Sequence, residues 1–182
     1  TIGCAGGRDT DITLPISTIP APEGDAVDLI VGGLEGGHSG IDIIHGRANA
    51  NVLLARLLDE LRGEEGVALA SANGGNAHNA IPRDATSVLV VPSSSRNALE
   101  QRVAAMERLM AREYRSTDPN LHIALVGSAT RPQHVLTRES AEAAVRLMLS
   151  LPHGVVRMSD DVNGLVETST NFATVRTTGQ AV

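Results

Sequence analysis

The sequence is poorest in rigid ring side chains: its 182 residues include one Phe, one Tyr and no Trp. Its core must therefore be built from Leu, Val, Ile, Ala and Met. A surface on which nucleobases stack is excluded. Lysine is missing as well, so all 15 basic residues are Arg; they fall singly, and the net charge is −6. Neither a basic run nor a positive field is offered to a phosphate backbone, which rules out nucleic acid as a partner. The one cysteine, Cys4, allows no internal disulfide framework. With no His nearby it reads as a small buried residue rather than a nucleophile. No run of about 18 apolar residues is present, nor a basic segment leading into an apolar one. No membrane partner is expected, and a cytoplasmic protein fits. The chain opens at Thr1 without Met and stops at Val182 just after a strand-like run, so both ends read as cut from something larger.

What is present has the proportions of an ordinary globular domain, with 42% hydrophobic residues. Residues 8–24 hold Pro15, Pro20, Pro22 and Gly24 among polar residues and read as a connector. From Ala26 to Leu34 the apolar residues alternate, predicting a strand with Val27, Leu29 and Val31 on one face. A glycine-flanked turn, Gly36-Gly37-His38-Ser39-Gly40, follows. Between Arg47 and Arg62, residues Ala50, Leu53, Leu54, Leu57, Leu58 and Leu61 recur at the spacing of one helical face. Gly63 and Gly66 end that helix. Strands are predicted at Val67–Ala72 and Ala85–Val91, with a turn at Asn73-Gly74-Gly75 between them and Pro92 closing the second. A helix over Asn97–Tyr114 carries Leu99, Val103, Met106 and Met110 as a stripe, and Leu121, Ile123 and Leu125 alternate in the next strand.

Strand, helix, strand, strand, helix, strand is the split βαβ or ferredoxin-like order. The expected class is α+β, an antiparallel sheet with helices on one face. A third helix at Thr137–Leu151 and a strand over Leu165–Val175 suggest part of a second such unit. If so, the last strand exposes a sheet edge or borrows a neighbour.

Candidate chemistry is sparse. No HExxH, HxH or HxD pair is present, and His122, His134 and His153 stand isolated as ordinary surface or core histidines. Asp160 and Asp161 are adjacent and read as a solvated loop. Gly36-Gly37-His38-Ser39-Gly40 lacks the Lys and the following Ser or Thr of a P-loop. A histidine between glycines can approach a ligand closely, and a neutral imidazole can donate an N–H to a carbonyl oxygen as it becomes anionic. The same turn also suits a plain strand-to-helix connection. Asn79, before Ala80-Ile81-Pro82, can present an amide to a substrate or bond its own backbone.

Three blocks along the chain carry a resemblance: Gly36 to Asp42 followed by Gly46-Arg47-Ala48-Asn49-Ala50-Asn51; Asn79-Ala80-Ile81-Pro82-Arg83; and Arg157-Met158-Ser159-Asp160 with Gly164-Leu165-Val166-Glu167-Thr168-Ser169. Together with Gly3-Cys4-Ala5-Gly6-Gly7 they resemble the lid region of the aminoacyl-histidine dipeptidases, members of the dinuclear-zinc aminoacylase and carboxypeptidase-type metallopeptidases. The resemblance implies a cytosolic zinc enzyme that hydrolyses Xaa-His dipeptides such as beta-alanyl-histidine. In such enzymes a separate catalytic domain holds two zinc ions, a bridging water attacks the peptide carbonyl, and a Glu is the general base. It also implies that residues 1–24 lead in from that domain and residues 25–182 form the lid, as one unit over 25–130 and part of a second over 131–182. His38 is then the lid histidine that reaches the scissile carbonyl, and Asn79 a substrate-binding residue. No metal ligand is expected within the chain, which by itself would be inactive and hold no zinc tightly. Relatives place a histidine one position before His45, which leaves His45 outside the implied site. A non-catalytic module that forms a homodimer through its helices or a sheet edge is the alternative.

Overall fold

The structure, a computed structural model, describes residues 6–179 and 181–182. Residues 3–5 of the first resemblance block, with Cys4, lie outside the described residues. In chain order the elements are β1 (Thr18–Pro20), β2 (Asp25–Gly32), β3 (Gly37–His38), a 3-10 turn (Asp42–His45), α1 (Ala50–Leu61), β4 (Ala68–Gly74), β5 (Ala80–Ile81), β6 (Ala85–Val91), α2 (Arg96–Glu113), β7 (His122–Gly127), β8 (His134–Leu136), α3 (Arg138–Ser150), β9 (Gly154–Met158), β10 (Val166–Thr170) and β11 (Val175–Arg176).

The main sheet runs β11-β4-β6-β2-β7, and every neighbouring pair is antiparallel. The four strands β4-β6-β2-β7 have the ferredoxin-like order. Period-two alternation decides which face of the sheet is covered. Val27, Leu29 and Val31 of β2 are fully buried, and the register sets them across from Leu89, Ser87 and Ala85 of β6. On that face lies α1, whose Leu53, Leu54, Leu57, Leu58 and Leu61 are at most 3% exposed. Burying each such leucine contributes roughly 1.5–3 kcal/mol, so this stripe against β2 and β6 is the main source of cohesion. Leu99, Val103 and Met110 of α2 and Ala144, Val145 and Met148 of α3 join the same cluster.

The expected helices and strands of the first unit are found with small shifts at their ends. Asn73 and Gly74 continue β4 instead of turning. The expected strand Leu165–Val175 is interrupted: Val166–Thr170 pairs with Gly154–Met158 as a hairpin, whereas Val175–Arg176 joins β4 at the edge of the main sheet. The break falls at residues 171–174, because Asn171 and Phe172 turn inward to the start of α1. There the Phe172 carbonyl accepts from the side chains of Asn49 and Asn51.

Candidate functional site

After β2 the chain leaves the sheet through Gly33 and returns at α1, and both ends of this excursion are tied to one buried carboxylate. Asp118 is 1% exposed and accepts from Glu35 N at 2.9 Å and from Ala48 N at 2.8 Å. Two donors aimed at its two oxygens offset the cost of burying it.

Nearer the tip the organiser is Asp42. Its Oδ2 accepts from His38 N at 2.8 Å, and its Oδ1 lies 3.4 Å from both His45 Nδ1 and Arg47 NH1. The Arg47 guanidinium also donates to Gly36 O at 2.6 Å. The hydrogen bond from the His38 backbone, then the charge of Arg47, hold the Asp42 carboxyl below its ordinary value despite partial burial. It is a carboxylate at neutral pH. Gly37 has φ +138°, and a Cβ there would stand 2.5 Å from Arg47 NH1 and 2.7 Å from Asp42 Cβ. Only glycine fits between these groups.

The exposed His38 ring is oriented locally. Gly40 N donates to His38 Nδ1 at 3.0 Å, so Nδ1 presents its lone pair and the proton of the neutral ring resides on Nε2. An exposed N–H donor at the tip of a glycine turn is the product of this arrangement.

The structure brings Asn79 beside it. β3 and β5 form a ladder of two pairs, Gly37 with Ile81 and His38 with Ala80. Ser39 N donates to Asn79 O at 2.9 Å, and Ala80 N to Ala77 O at 3.3 Å. The turn is thus bonded through Asn79's backbone, while its side chain is exposed. The two turns singled out from sequence are neighbours in space although 41 positions separate them.

A hollow of about 320 Å³ is lined by Ile43, Ile44, Arg47, Tyr114, His153 and Val155, and neither His38 nor Asn79 lines it. A larger one of about 580 Å³ lies by Leu58, Leu61, Arg62 and α3, at the other end of α1. A 12-residue helix is roughly 18 Å long, so that cavity is remote from His38. His45 sits beside Asp42, not by Asn79. Among the described residues no group of three or more His, Cys, Asp or Glu side chains could hold a metal ion.

Sequence reasoning missed Asp42, Asp118 and Asn171. Asn171 donates from Nδ2 to Ala80 O at 2.8 Å. For Asp42 a signal existed, an acidic residue four positions after His38; for Asn171 none did, since it lies over 90 positions from its partner.

Residues 31–118 match the family described as the peptidase dimerisation domain. Over those residues the chain is similar to the domain of that description. More narrowly, it is 35% identical over 182 residues, all of this chain, to the cytosol non-specific dipeptidase of Escherichia coli (strain K12), of which it covers 37%. The crystal structure of aminoacylhistidine dipeptidase from Vibrio alginolyticus aligns with 93% of this chain at a TM-score of 0.88 and 32% identity, over 34% of that chain. The chain thus spans somewhat more than a third of the length of these relatives. Among the described residues no helix is long and apolar enough to cross a membrane.

Proposed function

We propose that residues 25–182 are the lid domain of a cytosolic zinc dipeptidase acting on Xaa-His dipeptides, and that His38 and Asn79 are its contribution to the site. The observation that carries this reading is the 3.0 Å bond from Gly40 N to His38 Nδ1, which leaves Nε2–H free to donate. Closed over a bound dipeptide, that N–H would meet the scissile carbonyl oxygen as negative charge develops on it. Asn79, one residue from the pair His38–Ala80, would offer its amide to the substrate's backbone or carboxylate. The names of the two relatives support the reaction class, and the glycine-held loop supports close approach. Zinc and the general base would come from a catalytic domain, since the described residues hold no metal cluster.

In the full-length protein, His38→Ala should lower kcat for beta-alanyl-histidine by about 10²–10³-fold, the scale of one oxyanion donor. An unchanged kcat would refute the role.

A second reading is favoured by the family description itself, a peptidase dimerisation domain. On that reading the domain joins two copies of the chain, and His38 is only a loop residue. Sedimentation of the full-length protein, set beside the His38→Ala kinetics, separates them. A dimer with undiminished kcat in the variant supports dimerisation alone.

A further inference from the structure

The ladder that sets His38 beside Asn79 has only two residue pairs, too few to stand unaided. In an antiparallel strand successive carbonyls point to opposite edges. Asn79 O faces β3, where it accepts from Ser39 N, so Ala80 O faces away from it. Among the described residues no strand pairs with that outer edge. There the side-chain amide of Asn171 donates to Ala80 O at 2.8 Å, and, two residues on, Ala50 N donates to Pro82 O at 3.1 Å.

Asn171 is itself held. Its Oδ1 lies 3.4 Å from Asn49 Nδ2, and the identity of that nitrogen is fixed by α1. Asn49 Oδ1 caps the helix by accepting from Asn51 N at 2.9 Å and Val52 N at 3.2 Å. Asn49 Nδ2 must then face Phe172 O, at 3.0 Å, and His153 Nδ1, at 3.1 Å. Asn51 Nδ2 reaches the same Phe172 carbonyl at 3.2 Å. Asn49 and Asn51 are at most 1% exposed, so the support is buried and rigid. Its neighbour is built to the same tolerance: a Cβ on Gly74 would lie 2.1 Å from Asn51 Oδ1, and one on Gly75 1.9 Å from Ala173 O. A core of asparagine amides at the start of α1 thus reaches, through one side chain, the outer edge of β5.

We infer that Asn171 is a positioning residue: it clamps the Ala80 carbonyl and so fixes Asn79 and the β5 strand against His38. The inference rests on the reading of His38 and Asn79 as the substrate-facing pair, and its test keeps the two apart. Asn171→Ala deletes the donor. Asn171→Asp keeps shape and volume but lacks the donor when ionised, and regains one when its carboxyl is protonated.

Two measurements on the full-length protein decide. Hydrogen exchange reads the clamp directly: at pH 7 the peptide covering 36–41, with the Ser39 amide, should exchange about five- to tenfold faster in both variants, while the β6 peptide over 85–91 is unchanged. Unchanged protection of the 36–41 peptide overturns the clamp. Kinetics read the consequence: kcat for beta-alanyl-histidine should fall about tenfold or more in both variants at pH 8. Faster exchange with kcat within twofold of wild type overturns the positioning role. Faster exchange in a protein whose wild type has no dipeptidase activity leaves the clamp standing and fails the proposed function instead.

Discussion

At the scale of single residues, the candidate site depends on carboxylates that do no chemistry. Asp42 meets a backbone N–H, an imidazole and a guanidinium, and thereby fixes where the His38 turn begins. Asp42→Ala leaves the imidazole in place but frees the turn, so kcat of the full-length protein should fall on the order of tenfold, well short of the His38→Ala loss. The sign of the pH effect follows from the lowered carboxyl. A depressed acid stabilises the fold fully above its ordinary value of 3.8 and loses that contribution only as pH falls through its lower folded value. The carboxylate itself does not titrate between pH 6 and 8, so the loss of kcat in Asp42→Ala should be present throughout that range, which pH profiles of the two proteins would show. A loss in Asp42→Ala that was present at pH 6 and absent at pH 8 would contradict a carboxylate that holds the turn through this range. His38 was conspicuous in the sequence because glycines flank it. Asp42 was in plain view and unweighted, since its meaning depends on a turn that brings its carboxylate back to the His38 amide.

Among the elements, α1 shows how one helix serves both cohesion and site. Its leucine stripe was legible because the 3.6-residue period is a local property, and Asn49 caps it with a side-chain oxygen. That cap also holds Phe172 O and His153, so Asn49→Ala removes more than a cap. A lost N-cap costs about 0.5–2 kcal/mol, and the orphaned Phe172 carbonyl adds about 1–3 kcal/mol less whatever Asn51 still supplies. Urea unfolding should report a loss of about 2–4 kcal/mol in total, against near-neutral effects for an exposed asparagine such as Asn97. A loss under 1 kcal/mol would mean that the buried amides rearrange freely. The β9–β10 hairpin was not legible, and its side chains explain why: Val155, Val156 and Met158 are 38%, 65% and 38% exposed, so no buried face imposes alternation. The β3–β5 ladder was equally hidden, because two residue pairs leave no periodic trace.

For the whole molecule, the ferredoxin-like order follows from local periods alone, while the joint between the sheet, α1 and the 171–174 segment comes from polar side chains far apart in sequence. His153 stands at that joint. Burial is the main reason its pKa lies below the ordinary 6.5, with hydrogen bonds to the Arg47 backbone and Asn171 pulling the other way. Its Nδ1 faces the Asn49 amide as an acceptor, a contact that only the neutral ring can make. Unfolded, the same histidine takes up its proton near 6.5. Between that value and its lower folded one the unfolded state therefore holds more protons, and stability falls as pH is lowered through this window. Above 6.5 both states are neutral at His153 and the contribution is fully present. Thermal melts from pH 8 to 5 should show a flat midpoint down to about 6.5 and a decline below it, beginning before the carboxylates titrate. His153→Gln keeps a polar side chain without the titration, and in that variant the decline should begin only at lower pH. If both proteins lose stability in parallel from pH 6.5 downward, the proton that weakens the joint is taken up by another group and His153 is not the joint's sensitive point.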